Sequence, residues 1–206
     1  RYELLTNRQD TRFIIMYSGN IGLYYDLENL IKIIHKFKDA KTRPSRKYPN
    51  GRMVLFVFVG AGSLTNILKD YVSKHHMSNV VFIPYQDKDN LNYSLNAADV
   101  HWCVNAQGMK GVSCPSKYYG IAAAGKPIIG VLEPGTEIRY LIEKTQGGLV
   151  CEPGDYEKIE QNIQWFLDHD GSELLVAMGQ RNRAYLLENL TKEMSIEKYK
   201  KAIEEL

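Results

Sequence analysis

Three glycine-bearing segments, each directly after an apolar run, carry residue types suited to holding phosphate. They are Tyr17-Ser18-Gly19-Asn20-Ile21-Gly22, Gly60-Ala61-Gly62-Ser63, and the stretch from Gly108 that ends in Pro115-Ser116-Lys117. Glycine lets a backbone approach an anion with no Cβ in the way. Ser116 adds a hydroxyl donor and Lys117 a point charge, at the expected mouth of a helix whose dipole favours an anion. A plainer reading stays open beside this one. The glycines then only make short turns, Ser116 caps its helix and Lys117 points to solvent. The spacing is not the dinucleotide fingerprint, because Gly60-Ala61-Gly62 lacks the third glycine, and no Walker A lysine follows a glycine loop.

These segments need elements to position them. Apolar runs at Phe13–Tyr17, Val54–Val59, Val80–Ile83, Val100–Val104, Ile128–Leu132 and Leu149–Cys151 mostly lack alternation, as parallel strands covered on both faces do. Helical spacing appears between them. Leu27, Leu30, Ile31, Ile34 and Phe37 follow Asp26 as N-cap, and Leu64, Ile67, Leu68, Tyr71 and Val72 follow Ser63. A third helix is expected over 115–124, closed by Gly125 and Pro127. After Gly154-Asp155 the pattern is helical to Leu206. Repeated strand–helix units with right-handed crossovers give a doubly wound α/β domain with a parallel sheet. Ligands of such sheets bind beyond the carboxyl ends of the strands, so the three turns converge on one edge.

Composition narrows the partners. A chain of 206 residues, 44% hydrophobic and 24% charged, can bury a core and is not a disordered tail. Lys+Arg 26 against Asp+Glu 24 leaves +2, too balanced for nucleic acid as the main partner. No apolar run approaches the ~20 residues of a membrane span. Cys103, Cys114 and Cys151 show no metal-ligand spacing and suit free thiols in a reducing compartment. His75-His76 reads as a favourable charge pair at a helix C-terminus, and His101 as a core histidine. Glu133 and Glu137 lie just beyond the fifth run, where they could approach a ligand at that edge, or Glu137 simply opens the next helix. The stretch Lys41–Arg52 holds five bases and no acid. It reads as a solvated loop, with weak attraction to anionic lipid headgroups as the alternative.

The ordered set of segments resembles one family. Tyr17–Gly22 with Asp26-Leu27-Glu28-Asn29-Leu30, Phe58–Ser63, Asn79–Gln86, Leu95–Val100, Pro115–Gly130 and Gly148–Asp155 are similar to the C-terminal, donor-binding domain of GT-B-fold, family 4 (group 1) retaining glycosyltransferases. Pro115-Ser116-Lys117 with Ala122-Ala123-Ala124-Gly125-Lys126-Pro127 is the most specific piece. The resemblance implies a Rossmann-like domain over 13–190, with residues 1–12 as interdomain linker. It makes 191–206 a C-terminal helix packing back toward an N-terminal acceptor domain outside this chain.

The resemblance further implies a nucleotide-sugar donor, UDP- or GDP-linked, with no metal and no cofactor. Gly19, Asn20 and Gly22 match the loop near the donor phosphates and sugar. Gly60 and Gly62 match a turn near the nucleotide, Tyr85 and Gln86 the loop around the base, and Ser116 and Lys117 the diphosphate site. The family's first-loop Arg and Lys are replaced near Asn20 and Tyr25, and its paired glutamates fall on Val112 and Gly120. No catalytic residue is therefore assigned, with Lys117 the candidate for steadying the leaving group. The implied activity is hexosyl transfer to a lipid-linked glycan acceptor in bacterial surface polysaccharide synthesis. That places the protein in the cytoplasm, or peripherally on the inner face of the membrane, with this fragment alone inactive. A nucleotide-sugar-binding module without catalysis and a GT-B-like epimerase are the alternatives. A methyltransferase using Gly60-Ala61-Gly62 for S-adenosylmethionine leaves the Pro-Ser-Lys helix unexplained.

Overall fold

The computed structural model describes residues 12–205. Six parallel strands form one sheet: β1 (Phe13–Ser18), β2 (Val54–Val59), β3 (Val80–Ile83), β4 (Val100–Val104), β5 (Ile128–Val131) and β6 (Gly148–Cys151). Their order is β3-β2-β1-β4-β5-β6, the doubly wound Rossmann arrangement, so the order reverses between β1 and β4. The Ile15–Val100 and Met16–His101 pairs join the two halves there.

Eight helices follow in chain order among the described residues: α1 (Leu27–His35), α2 (Thr65–Lys74), α3 (Leu91–Ala97), α4 (Lys117–Ala123), α5 (Glu137–Thr145), α6 (Tyr156–Asp168), α7 (Glu173–Asn189) and α8 (Lys192–Glu204). Strand pleating assigns the faces. Phe13, Ile15 and Tyr17 of β1 point to the cluster built with α1, α2 and α6. Ile14 and Met16 point the other way, toward Ala97 and Ala98 at the end of α3. Beside them Tyr118 and Ile121 of α4 and Ile138, Leu141 and Ile142 of α5 cover Cys103 and Ile128. Helix α7 spans both sides, giving Leu175 and Met178 to the first cluster and Tyr185 and Leu186 to the last. Buried on both faces, these strands have no reason to alternate, which is why their sequences read as unbroken apolar runs.

Two expected caps differ. Asp26 precedes α1 in the left-handed conformation (φ 51°) and makes no side-chain cap bond. Its carboxylate instead accepts from Asn29 Nδ2 at 2.8 Å and Tyr156 Oη at 2.9 Å, tying α1 to α6. Ser63 does not cap α2, which starts two residues later; Thr65 Oγ1 accepts from the Gly62 N–H instead.

The basic stretch 41–52 is not wholly a solvated loop. Arg52 is 7% exposed and buries its guanidinium against Asp170, with Nε to Oδ2 at 2.8 Å, and against Asp99 at 2.9 Å. Burial opposes that charge, but the two carboxylates outweigh it and hold the guanidinium pKa above its ordinary value. Helix α8 buries no residue, leaving Ile196, Tyr199 and Ile203 exposed. The linker expectation for 1–12, Arg12 apart, and Leu206 lie outside the described residues.

Candidate functional site

A cleft of about 460 Å³ opens where the strand order reverses, beyond the carboxyl ends of β1 and β4. One wall is the turn after β1, with Ser18, Gly19, Asn20 and Tyr25. The facing wall is Cys114, Pro115, Ser116 and one side of α4, with Lys117, Gly120 and Ile121. Leu91 and Leu95 of α3 close one end. Sequence reasoning thus finds Gly19, Asn20, Ser116 and Lys117 on one cleft, although they come from opposite halves of the sheet.

Lys117 is the only cation lining it among the described residues. The amine donates to Tyr17 Oη at 3.3 Å and lies 4.5 Å from the Tyr17 ring centroid and 4.1 Å from that of Tyr25. No carboxylate stands within ion-pair distance of it among the described residues. Burial pushes its pKa down to about 8, opposed only by a weak influence of Cys103. The Cys103 thiol is itself pushed up to about 12 by burial and carries no charge near neutrality. Helix α4 is only seven residues long and begins at Lys117, shorter than expected, and Ser116 makes no cap bond. The positive charge here comes from the side chain, with little from a helix dipole.

The turns after β1 and β2 are zipped together. Gly19 N–H donates to Val59 O at 2.9 Å, Ile21 N–H to Ala61 O at 3.0 Å, and Gly60 N–H to Ile83 O at 2.8 Å. A Cβ on Gly60 would stand 2.0 Å from Gly19 O, and one on Gly62 would stand 2.3 Å from Ile21 O. Those glycines exist so that two turns can touch. They brace the cleft rather than line it, and the N–H groups of Gly19, Gly60 and Gly62 already have protein acceptors. Gly22 likewise sits behind Asn20 instead of on the cleft.

Tyr85 is exposed, with its hydroxyl donating to Ala61 O at 3.3 Å, and Gln86 folds onto Pro84 O. Neither lines the cleft, though Tyr85 stands beside the β2 turn that braces it. Glu133 does not line the cleft; it accepts from the Lys110 N–H at 2.8 Å and pins the loop before α4. Glu137 opens α5. His101 is a core histidine, its Nε2 2.8 Å from Leu95 O and its pKa pushed down to about 4 by burial. His75 corrects the expected charge pair: partial desolvation, then His35 and the neighbouring lysines, lower its pKa, and it packs on Tyr71 and His35.

Sequence reasoning missed Tyr17 as a site residue. A tyrosine ending an apolar strand looks like core, and its ring is indeed fully buried. Leu91, Leu95 and Cys114 gave no signal either. A second cavity of about 490 Å³ lies at the opposite end of the sheet around Arg52, where the central charges are already paired.

Comparison with known proteins agrees with this fold. Residues 6–185 match the family of glycosyl transferases group 1. WbjE of Pseudomonas aeruginosa, named a probable glycosyltransferase, is 28% identical over 186 residues, covering 90% of this chain and 42% of that protein. WcaI of Escherichia coli K12, named for glycosyl transfer in colanic acid biosynthesis, is 31% identical over 75% of this chain and 35% of its own length. The chain therefore spans less than half of either relative. Anabaena Alr3699/HepE, solved with UDP and glucose, superposes over the whole chain and 53% of its own, with TM-score 0.75 at 12% identity. The pneumococcal O-GlcNAc transferase GtfA, solved with UDP and GlcNAc, gives 0.69 at 18% identity over 97% of this chain and 37% of its own. Matched along most of its length, the chain belongs to the group 1 glycosyltransferases.

Proposed function

We propose that this chain is the donor-binding half of a retaining glycosyltransferase that takes a UDP- or GDP-linked hexose. It passes the hexose to a lipid-linked glycan acceptor in bacterial surface polysaccharide synthesis. In the reaction, the bond between the sugar anomeric carbon and the diphosphate oxygen breaks. A bond to the acceptor hydroxyl oxygen forms, the nucleoside diphosphate leaves with the electron pair, and the hydroxyl proton passes to the leaving phosphate oxygen. The observation that carries the reading is Lys117, a cation with no carboxylate partner among the described residues, facing a cleft at the switch point of the sheet. Placed there, it offsets the negative charge growing on the leaving phosphate. Asn20 and the exposed Ser116 offer polar groups on either side of the diphosphate, and Tyr85 an aromatic face beyond the β2 turn. The names of WbjE and WcaI support the polysaccharide setting. The acceptor domain, the membrane-facing location and the absence of metal or cofactor belong to the same proposal.

One observation favours a second reading, a donor-binding module without transfer: the described residues lining the cleft include no carboxylate. Calorimetry of this chain with UDP, GDP and their sugars tests the shared part, and binding of none of them overturns it. Turnover of the full-length protein separates the two. Lys117→Ala should lower it about 100-fold or more, and near-normal turnover removes Lys117 from the mechanism.

A further inference from the structure

We infer that Tyr17 and Tyr25 are positioning residues that hold Lys117 as a cation with no counter-ion among the described residues, so that the ligand's phosphate is the first anion it meets there. The inference rests on the nucleotide reading above and goes beyond it to how the site stores its charge.

The geometry is specific. Tyr17 comes from the end of β1 and Tyr25 from the single turn Leu23–Tyr25, yet their rings meet edge-on, 6.0 Å apart at 62°. The Lys117 amine lies near both faces, and both rings offer π density without neutralising it. Tyr17 Oη donates its own hydrogen to Asn20 O at 2.6 Å, which leaves its lone pair to accept from Lys117 and fixes the Asn20 loop at the same time. Every titratable group that faces the amine among the described residues is neutral near pH 7. Tyr17 and Tyr25 are pushed up by burial, as are Cys103 from β4 and Cys114 from the segment before α4. An aspartate in place of the rings would satisfy the lysine and then repel the diphosphate. The cage avoids both.

The cost of holding the charge shows as the lowered Lys117 pKa, about 8. A diphosphate must raise it, so binding takes up protons, and affinity falls as pH rises through 8. The test is calorimetry of the chain with UDP and GDP in Tris and Hepes, from pH 6.5 to 9. At pH 8 the uptake should be about half a proton per ligand, falling toward zero at pH 6.5. Lys117→Arg, permanently charged, gives the ligand's own ionisation and should show no further uptake. Tyr25→Leu should weaken binding about three- to tenfold and shrink the uptake, because water then reaches the amine. Tyr25→Phe should restore both. Tyr25 is half-exposed on a surface turn, so these changes leave the core intact.

Weaker binding by Tyr25→Leu with unchanged uptake reduces Tyr25 to a structural prop and overturns the inference. So does wild-type binding with no more uptake than Lys117→Arg. Failure of both UDP and GDP to bind removes the nucleotide reading; inorganic pyrophosphate then reads the same linkage. Pyrophosphate binding without proton uptake, or no pyrophosphate binding, overturns the cage.

Discussion

At the residue scale, Lys117 trades stability for binding. A half-buried ammonium with one hydroxyl acceptor and two aromatic faces is worse solvated than in water, as its lowered pKa records. Lys117→Met keeps the volume and removes the charge. It should raise the unfolding free energy by about 1–2 kcal/mol in urea melts at pH 7. The same variant should lose most affinity for UDP. A loss of stability instead would show that the amine supports the fold. The lysine was legible in the sequence because it follows Pro115-Ser116 where a helix must start. Its tyrosine partners were not. Tyr17 reads as core from its apolar run, and nothing local says that its hydroxyl end reaches a lysine 100 residues away.

At the element scale, the β1 and β2 turns act as one braced unit. Gly60 sits at φ +140° with Gly19 O in the space a side chain would need, so Gly60→Ala should cost about 2–4 kcal/mol and loosen the cleft wall. Gly108 is the contrast. Its φ is +81° but nothing lies within 4 Å of a Cβ there, so Gly108→Ala should cost only about 1 kcal/mol. Equal losses for the two would mean that strain, not the close turn–turn contact, sets the cost. The sequence marked both positions as turn glycines. Only the zipped hydrogen bonds distinguish a glycine that packs from one that merely bends.

At the scale of the whole molecule, Arg52 joins three distant parts. It links the 41–52 segment to Asp99 at the start of β4 and to Asp170 between α6 and α7, and it stacks 4.1 Å from Tyr48 and 5.1 Å from Phe13. Asp170 is 4% exposed, so Arg52→Ala strands a buried carboxylate. That should lower the unfolding free energy by about 3–5 kcal/mol. Lysine cannot reproduce the forked bonds to two carboxylates, so Arg52→Lys should recover only part of the loss. A change under 1 kcal/mol in either melt would show the carboxylate re-solvated.

The sequence alone determined the six strands, the helices between them except α3, and the sheet edge where the turns gather. Apolar runs, helical spacing and Gly-Pro stops are local, and right-handed parallel crossovers leave little freedom in how they assemble. The tertiary structure decided which side chains meet. Strand order and pleat place Tyr17 and Tyr25 around Lys117, and Arg52 beside partners 47 and 118 residues away. Such contacts depend on how distant segments are registered against one another, and no local spacing encodes that register.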